Sequence, residues 1–376
     1  MQVTSCDVQV YNGPMGNKRT HSAGRGSAIH PPSRFDKTTR VLALDVLESD
    51  TADELTTRPN PATEFIPDRG TKSVITENDS PDVGFRFSLN PYRGCEHGCS
   101  YCYARPTHEF LGYDAGLGFE TKIVVKHDAP KLFRHFLAQN SWVPEPIALS
   151  GVTDPYQPCE REFKLTRQCL DVAAGVNQPV GIITKGALVL RDLDILAPMA
   201  ARDLVHVNVS ITTLDAALAR AMESRAASPT ARLRAVRELS AAGVPVRVLV
   251  APVIPGLTDS EIPAILAAAK EAGARDAGYG LVRLPLSVAP VFLEWLGRAL
   301  PDRKGRVESS IRDIRSGKLN DTEFGRRMSG TGELANQIGK MFDVFARKYG
   351  LDGGLPAYDC ARFHAPPDAR GQGRLF

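Results

Sequence analysis

Three cysteines lie within the segment Asn90-Pro91-Tyr92-Arg93-Gly94-Cys95-Glu96-His97-Gly98-Cys99-Ser100-Tyr101-Cys102-Tyr103, spaced Cys-x3-Cys-x2-Cys. Thiolates this close in sequence can wrap a loop around one face of an iron-sulfur cubane. With no fourth cysteine nearby, one iron keeps a position that a small molecule can take. Catalytic metal centres keep such a position, whereas structural ones fill it. Two other readings stand beside this one. A zinc site would draw on His97, whose place between two of the cysteines strains a tetrahedron. A closed electron-transfer cluster would need a distant thiol, Cys159, Cys169 or Cys360.

The elements that must position such a loop are legible as alternation. Short β-branched runs, FRFSLN, KIVV, PIALSG, VGIITK, LVHVNVSIT, VRVLVAPVI and GYGLVRL, read as strands. Helical stretches lie between them at 160–175, 191–201, 230–242 and 259–272, the last opening on Thr258-Asp259. Strands that alternate with helices are parallel, and strands apolar on both faces are covered by helices. The fold class is therefore α/β, a partial (β/α) barrel of about six parallel strands over 85–300. Residues 1–80 read as a mostly flexible arm, 301–365 as a helical basic region and 366–376 as a flexible tail. Chemistry in such barrels sits at the C-terminal strand ends, and Cys95 follows FRFSLN at one of them.

Composition narrows the class further. The chain has 376 residues, is 43% hydrophobic and carries a formal charge of +3, so it can bury a large core and no global field announces a polyanionic partner. Between Asp302 and Lys348, however, eleven Lys or Arg face seven Asp or Glu. No run of eighteen apolar residues appears and the start lacks the order of a secretory signal, which predicts a cytoplasmic protein and no membrane contact. Seven cysteines, three of them clustered, suit metal ligation in a reduced compartment.

The Cys-x3-Cys-x-Tyr-Cys segment resembles the signature of the radical S-adenosylmethionine (radical SAM) superfamily. The succession Val180-Gly-Ile-Ile-Thr-Lys185, Val209-Ser210-Ile211, Glu223-Ser-Arg-Ala-Ala-Ser228-Pro229, Ala242-Gly243 and Val250-Ala-Pro-Val-Ile254 resembles the spore photoproduct lyase group, over roughly residues 86–290. The resemblance implies a 4Fe-4S cluster on Cys95, Cys99 and Cys102, with S-adenosylmethionine chelating the open iron and cleaved reductively to a 5'-deoxyadenosyl radical. It assigns Tyr101 to the adenine and Lys185 and Ser210 to cofactor contacts. Asp154 is a further cofactor-binding candidate, since no Gly-Gly-Glu segment is evident and Thr153-Asp154 stand at a strand end.

The departures bear on substrate. The lyases carry a hydrogen-donating cysteine after the strand corresponding to Ile147-Ala-Leu-Ser150, and this chain has Ser150-Gly151 there. Cys159 follows only later, as a catalytic candidate that is equally a structural thiol. Nucleic acid is the leading substrate class, lesion repair included. Modification of a peptide or small metabolite is the alternative, and a metal-stabilised non-enzymatic binding protein is the reading of another class. A reducing partner such as flavodoxin or ferredoxin is implied. The extreme C-terminus resembles the Gln-Leu-x-Leu-Phe peptide that docks on the DNA sliding clamp, with Gln372, Leu375 and Phe376 matching and Gly373 departing.

Overall fold

A computed structural model describes residues 24–31, 33–35, 62–68 and 70–367. The Gln372, Leu375 and Phe376 expectation lies outside them. Among the described residues there are ten strands: β1 (Glu64–Pro67), β2 (Ile75–Glu77), β3 (Phe87–Leu89), β4 (Tyr92–Arg93), β5 (Lys122–Val125), β6 (Ile147–Leu149), β7 (Val180–Thr184), β8 (Val205–Ser210), β9 (Val246–Val253) and β10 (Asp276–Leu281). The larger sheet runs β10-β9-β8-β7-β6-β3-β2. From β3 to β10 all its pairings are parallel, so six strands make the partial barrel, and β2 adds to β3 antiparallel. KIVV, read as a further strand of the alternation, is β5 and belongs to a separate three-stranded sheet ordered β1-β5-β4. Periodicity reports that a segment is extended but not which sheet it joins.

Register aligns the apolar side chains. Ile182 stands opposite Val207, and Val207 opposite Val246. Val180, Ile182, Val205, Val207, Val209, Val246, Val248 and Val250 are buried together with the helices Leu165–Gly175, Leu193–Ala200, Pro229–Ala241 and Ile262–Glu271. Alternate residues on the other face, Gly181, Ile183, Asn208, Arg247 and Leu249, are only half-buried. The strands are thus wholly covered on one face, where the sequence predicted both.

Helix starts follow local chemistry. Ser228 Oγ accepts from Ala231 N at 3.2 Å with Pro229 in the first turn, the usual arrangement of an N-cap. The stretch predicted from 259 opens as a short 3-10 turn and becomes α-helical at Ile262. Beyond Leu300 come the helices Lys304–Asp313 and Gly332–Tyr349. The chain then returns beneath the sheet, where Tyr358 stacks on His206 with ring centroids 4.0 Å apart. A Cβ on Gly181 would lie 2.9 Å from the Tyr358 hydroxyl, so a larger residue there would push that ring aside. No helix among the described residues is long and apolar enough to cross a membrane.

Part of the segment read as a flexible arm is built into the fold. Besides β1 and β2, residues 25–29 thread beneath the cysteine loop. Gly26 N and Ser27 N donate to the two oxygens of Glu120 at 3.0 and 2.8 Å, and Arg25 Nη1 donates to Glu120 O at 3.0 Å. Gly26 passes so close to Gly98 that a Cβ would stand 1.6 Å from the Gly98 carbonyl oxygen. Gly26→Ala therefore displaces this strand of chain and strips two donors from a fully buried carboxylate, at about 1–3 kcal/mol per group. The expected outcome is a lowered denaturant midpoint with faster proteolytic cleavage near residue 26. An unchanged midpoint would show that the segment does not hold the loop.

Candidate active site

After β3 the chain turns away from the barrel to pair as β4 with β5, and the cysteine loop crosses the C-terminal end of the parallel strands. Gly94 and Gly98 take φ of +79° and +64°, a region costly for other residues. Both flanks of the loop are pinned. Cys95 N donates to Phe119 O at 2.9 Å, and Ser100 N to Met222 O at 2.9 Å. Arg225 N donates to His97 O at 3.2 Å, and Cys99 bridges Glu223 antiparallel. Arg105, wholly buried, spends its guanidinium on this loop and its base. Nε and Nη2 donate to Cys99 O at 3.0 and 2.8 Å, Nη1 to Ala115 O and Gly116 O at 2.9 Å each, and Nη2 to Glu120 Oε1 at 2.6 Å.

The three thiols are free, Cys95 and Cys99 buried and Cys102 half-buried. Burial raises the Cys95 and Cys102 thiols, and the nearby backbone of Asp154 and of Ala104 works against that rise. Burial pushes the Cys95 thiol well up, with the charges of Asp154, Cys99 and Cys102 adding to it. Burial and then Glu223 push Cys99 up to about 12, against the pull of Lys185. Such thiols ionise on meeting a metal cation, which replaces the missing solvation. Among the described residues, no three His, Cys, Asp or Glu side chains are gathered where one metal ion could take them all. His97 is engaged elsewhere, its Nδ1 3.3 Å from Asp154 Oδ2. Cys169 lies in the sheet-helix core and Cys360 by the opposite end of the barrel, beside Asp359, whose N–H reaches Asp203 O.

The other sequence-predicted residues fall in two groups. Tyr101 and Lys185 lie together at the loop, and Ser210 is joined to them through Arg232 and Glu223. The Tyr101 hydroxyl bonds Glu223 and lies 3.2 Å from Thr212 Oγ1, and Lys185 Nζ sits 5.7 Å from the centre of the Tyr101 ring. Lys185 forms no ion pair among the described residues, and its charge is felt by Cys99, Cys102 and Glu223. Ser210 closes β8, with its carbonyl accepting from Arg232 Nη1 at 3.1 Å.

Asp154 and Cys159 lie at the edge of this group. Both Asp154 oxygens are engaged: Oδ1 accepts from Thr184 Oγ1 at 2.6 Å and Tyr156 N at 2.9 Å, and Oδ2 from Lys185 N at 2.7 Å. Burial raises the Asp154 pKa, but His97, Thr184 and the Lys185 N–H outweigh it and hold the carboxyl at about 2. Cys159 packs with Tyr92, Ile123, Val125 and Leu165 in a small apolar cluster, and burial raises its thiol pKa.

Arg105, Glu120, Glu223 and Arg232 were not singled out from sequence. Glu223 alone had a signal, as the first residue of the Glu-Ser-Arg run. It is buried and bonds Tyr101, Thr212 Oγ1 at 2.8 Å and Arg232 Nη2. Burial works against its charge, yet Arg232 and Lys185 bring its pKa down to about 2.

Residues 89–269 match the Radical SAM superfamily. An uncharacterized protein of Mycobacterium tuberculosis is 40% identical over 230 residues, covering 61% of this chain and 68% of its own. An uncharacterized protein of Methanocaldococcus jannaschii is 30% identical over 184 residues, 49% of this chain and 66% of its own. Spore photoproduct lyase complexed with dinucleoside spore photoproduct superposes with a TM-score of 0.57 at 16% identity, over 77% of this chain and 81% of that one. At that identity the likeness is one of fold.

Glu223 makes the acid limb of stability testable. Its carboxyl titrates below the usual 4.5 in the folded chain, so its contribution is complete above that pH and is lost as pH falls toward 2. Glu223→Gln leaves Arg232 buried without its counter-charge, a loss of about 3–5 kcal/mol at neutral pH, and flattens the decline between pH 5 and 2 by about one proton. Urea midpoints measured across that range check both; a parallel shift of the whole curve would remove Glu223 from the titration.

Proposed function

The chain belongs to the radical SAM superfamily, and we propose that it uses a centre on Cys95, Cys99 and Cys102 to remove a hydrogen atom from a nucleic-acid substrate. Members of the family use a 4Fe-4S cluster and S-adenosylmethionine. When bound, these supply the one-electron cleavage that releases methionine and a 5'-deoxyadenosyl radical able to take a hydrogen atom.

The observation that carries the reading is three free thiols at the C-terminal strand ends, beside a lysine with no ion-pair partner among the described residues. Lys185 is the cation for the methionyl carboxylate. Tyr101, its hydroxyl held by Glu223 and Thr212, offers a ring of fixed orientation to the adenine. Ser210 adds a polar group from the adjoining strand. Asp154, with both oxygens engaged, acts as a positioning residue that ties His97 to the start of the Lys185 turn.

Nucleic acid as substrate is supported by the excess of Lys and Arg after Leu300 and by the fold likeness to a lyase seen with a dinucleoside photoproduct. Ser150-Gly151 occupies the place of the lyases' cysteine, and Cys159 is enclosed in apolar packing. The proposed reaction therefore does not include return of a hydrogen from a thiol at either position. A small electron-transfer protein such as flavodoxin or ferredoxin supplies the electron.

Anaerobic reconstitution followed by turnover with deuterated oligonucleotides is expected to place deuterium in 5'-deoxyadenosine. Cofactor cleavage without label transfer would overturn the substrate, and zinc uptake without cleavage would overturn the enzyme. Cys95→Ala, Cys99→Ala and Cys102→Ala are each expected to lower 5'-deoxyadenosine formation at least a thousandfold, since each exposes a second iron. Cys159→Ala is expected to leave both the rate and the product unchanged. Cleavage surviving in any of the three would remove that cysteine from the ligand set, and altered products in Cys159→Ala would restore its catalytic role.

A further inference from the structure

Just beyond β10, at the same end of the barrel as the cysteine loop, Arg283 is half-buried with almost nothing to bind. Its one hydrogen bond among the described residues runs from Nη1 to Met328 Sδ at 3.4 Å, a weak acceptor, and its Nε is buried without a partner. It makes no ion pair with any described carboxylate. Its neighbours are also cationic. Arg327 and Arg315 both act on it or are acted on by it electrostatically, and burial followed by Arg283 brings the Arg315 pKa down to about 10. Asp82 is taken by Arg327, and Asp321 lies 3.3 Å from Arg326. Arg315, fully buried, is consumed by the carbonyls of Leu281, Val282 and Arg326. A desolvated guanidinium among like charges calls for an anion.

Aromatic rings flank these arginines. Arg283 lies 6.0 Å from the centre of the Tyr103 ring and Arg327 4.5 Å from that of Phe324, and each ring is 54% exposed. Tyr103 directly follows Cys102, and its hydroxyl donates to Gly151 O at 2.6 Å, which fixes the ring at the end of β6. The row Tyr103, Arg283, Arg327, Phe324 thus sets two adjoining cations between two exposed rings. Backbone phosphate flanked by stacked bases fits that order.

We propose that this row is the track for a single-stranded nucleic acid, with Arg283 binding a backbone phosphate and Phe324 stacking a base. The inference rests on nucleic acid being the substrate class, and it adds the residues that would hold the strand. A phosphate at Arg283 gives the Nη groups and Nε strong acceptors in place of a thioether.

The test is fluorescence anisotropy with a single-stranded oligonucleotide of about ten nucleotides across a range of salt, using the full chain. Arg283→Ala and the milder Arg283→Gln are expected to weaken binding roughly tenfold and to reduce the salt slope by about 0.7, the share of one phosphate contact. Phe324→Ala is expected to weaken binding at least fivefold with the slope unchanged, because stacking releases no counterion. Arg347→Ala, on the exposed side of the helix Gly332–Tyr349, removes the same charge far from the row and should change neither. Binding that persists in both Arg283 variants with the same affinity and slope overturns the assignment and leaves the substrate class standing. No binding by the unaltered protein, or tighter binding of an acidic peptide, overturns the substrate class itself.

Discussion

The cysteine loop depends on an ion pair from which water is wholly excluded. Arg105 and Glu120 are 2.6 Å apart and neither side chain has any solvent exposure. Two charges removed from water gain from each other only if every remaining donor and acceptor is also used. Here they are: the guanidinium reaches Cys99, Ala115 and Gly116, and the carboxylate receives Gly26 and Ser27. One pair therefore sets the backbone carbonyl of a central cysteine, the base of the loop and a segment of chain some ninety residues earlier. Losing one partner of such a pair costs about 3–5 kcal/mol, a large part of the 5–15 kcal/mol by which a domain is stable. The loop is shaped by the protein rather than by whatever it binds.

A second buried pair, Glu223 with Arg232, does the same work from the barrel side. It draws Tyr101, Thr212 and, through its field, Lys185 toward the same loop. The two pairs differ in what they fix. Arg105 and Glu120 act on the backbone of the loop, while Glu223 and Arg232 hold the Tyr101 hydroxyl together with the carbonyls of Ser210 and Ala227.

Much of the framework was legible in the sequence because its signals are local. All seven apolar runs became strands, and six of them are the parallel strands of the barrel. The cysteine spacing with Tyr101 inside it, and the placing of Lys185 and Ser210 at strand ends, are local features too, because motif and periodicity occupy a few contiguous residues. What escaped was set by distant partners. Tyr101 meets Glu223 across 122 residues and Arg25 meets Glu120 across 95. Nothing near Arg25 or Gly26 distinguishes them from the polar, glycine-containing chain around them, so that stretch read as a loose arm. The covering of only one sheet face was hidden for a related reason: an apolar run states what a strand tolerates, and the half-buried Gly181, Asn208 and Arg247 show what it meets.

The segment at Gly26 and Ser27 has a bearing on how portable this site is. The span shared with the family, 89–269, contains Glu120 but neither of the backbone N–H groups that cap it, nor Arg298, which donates to the Gly26 carbonyl at 3.2 Å. Transplanted into another scaffold at those boundaries, the cysteine loop would arrive with a charged group buried and under-satisfied, and it would have to recruit water or sag toward it. The motif can be inherited as a contiguous block, but its rigidity belongs to the parts of the chain that lie on either side.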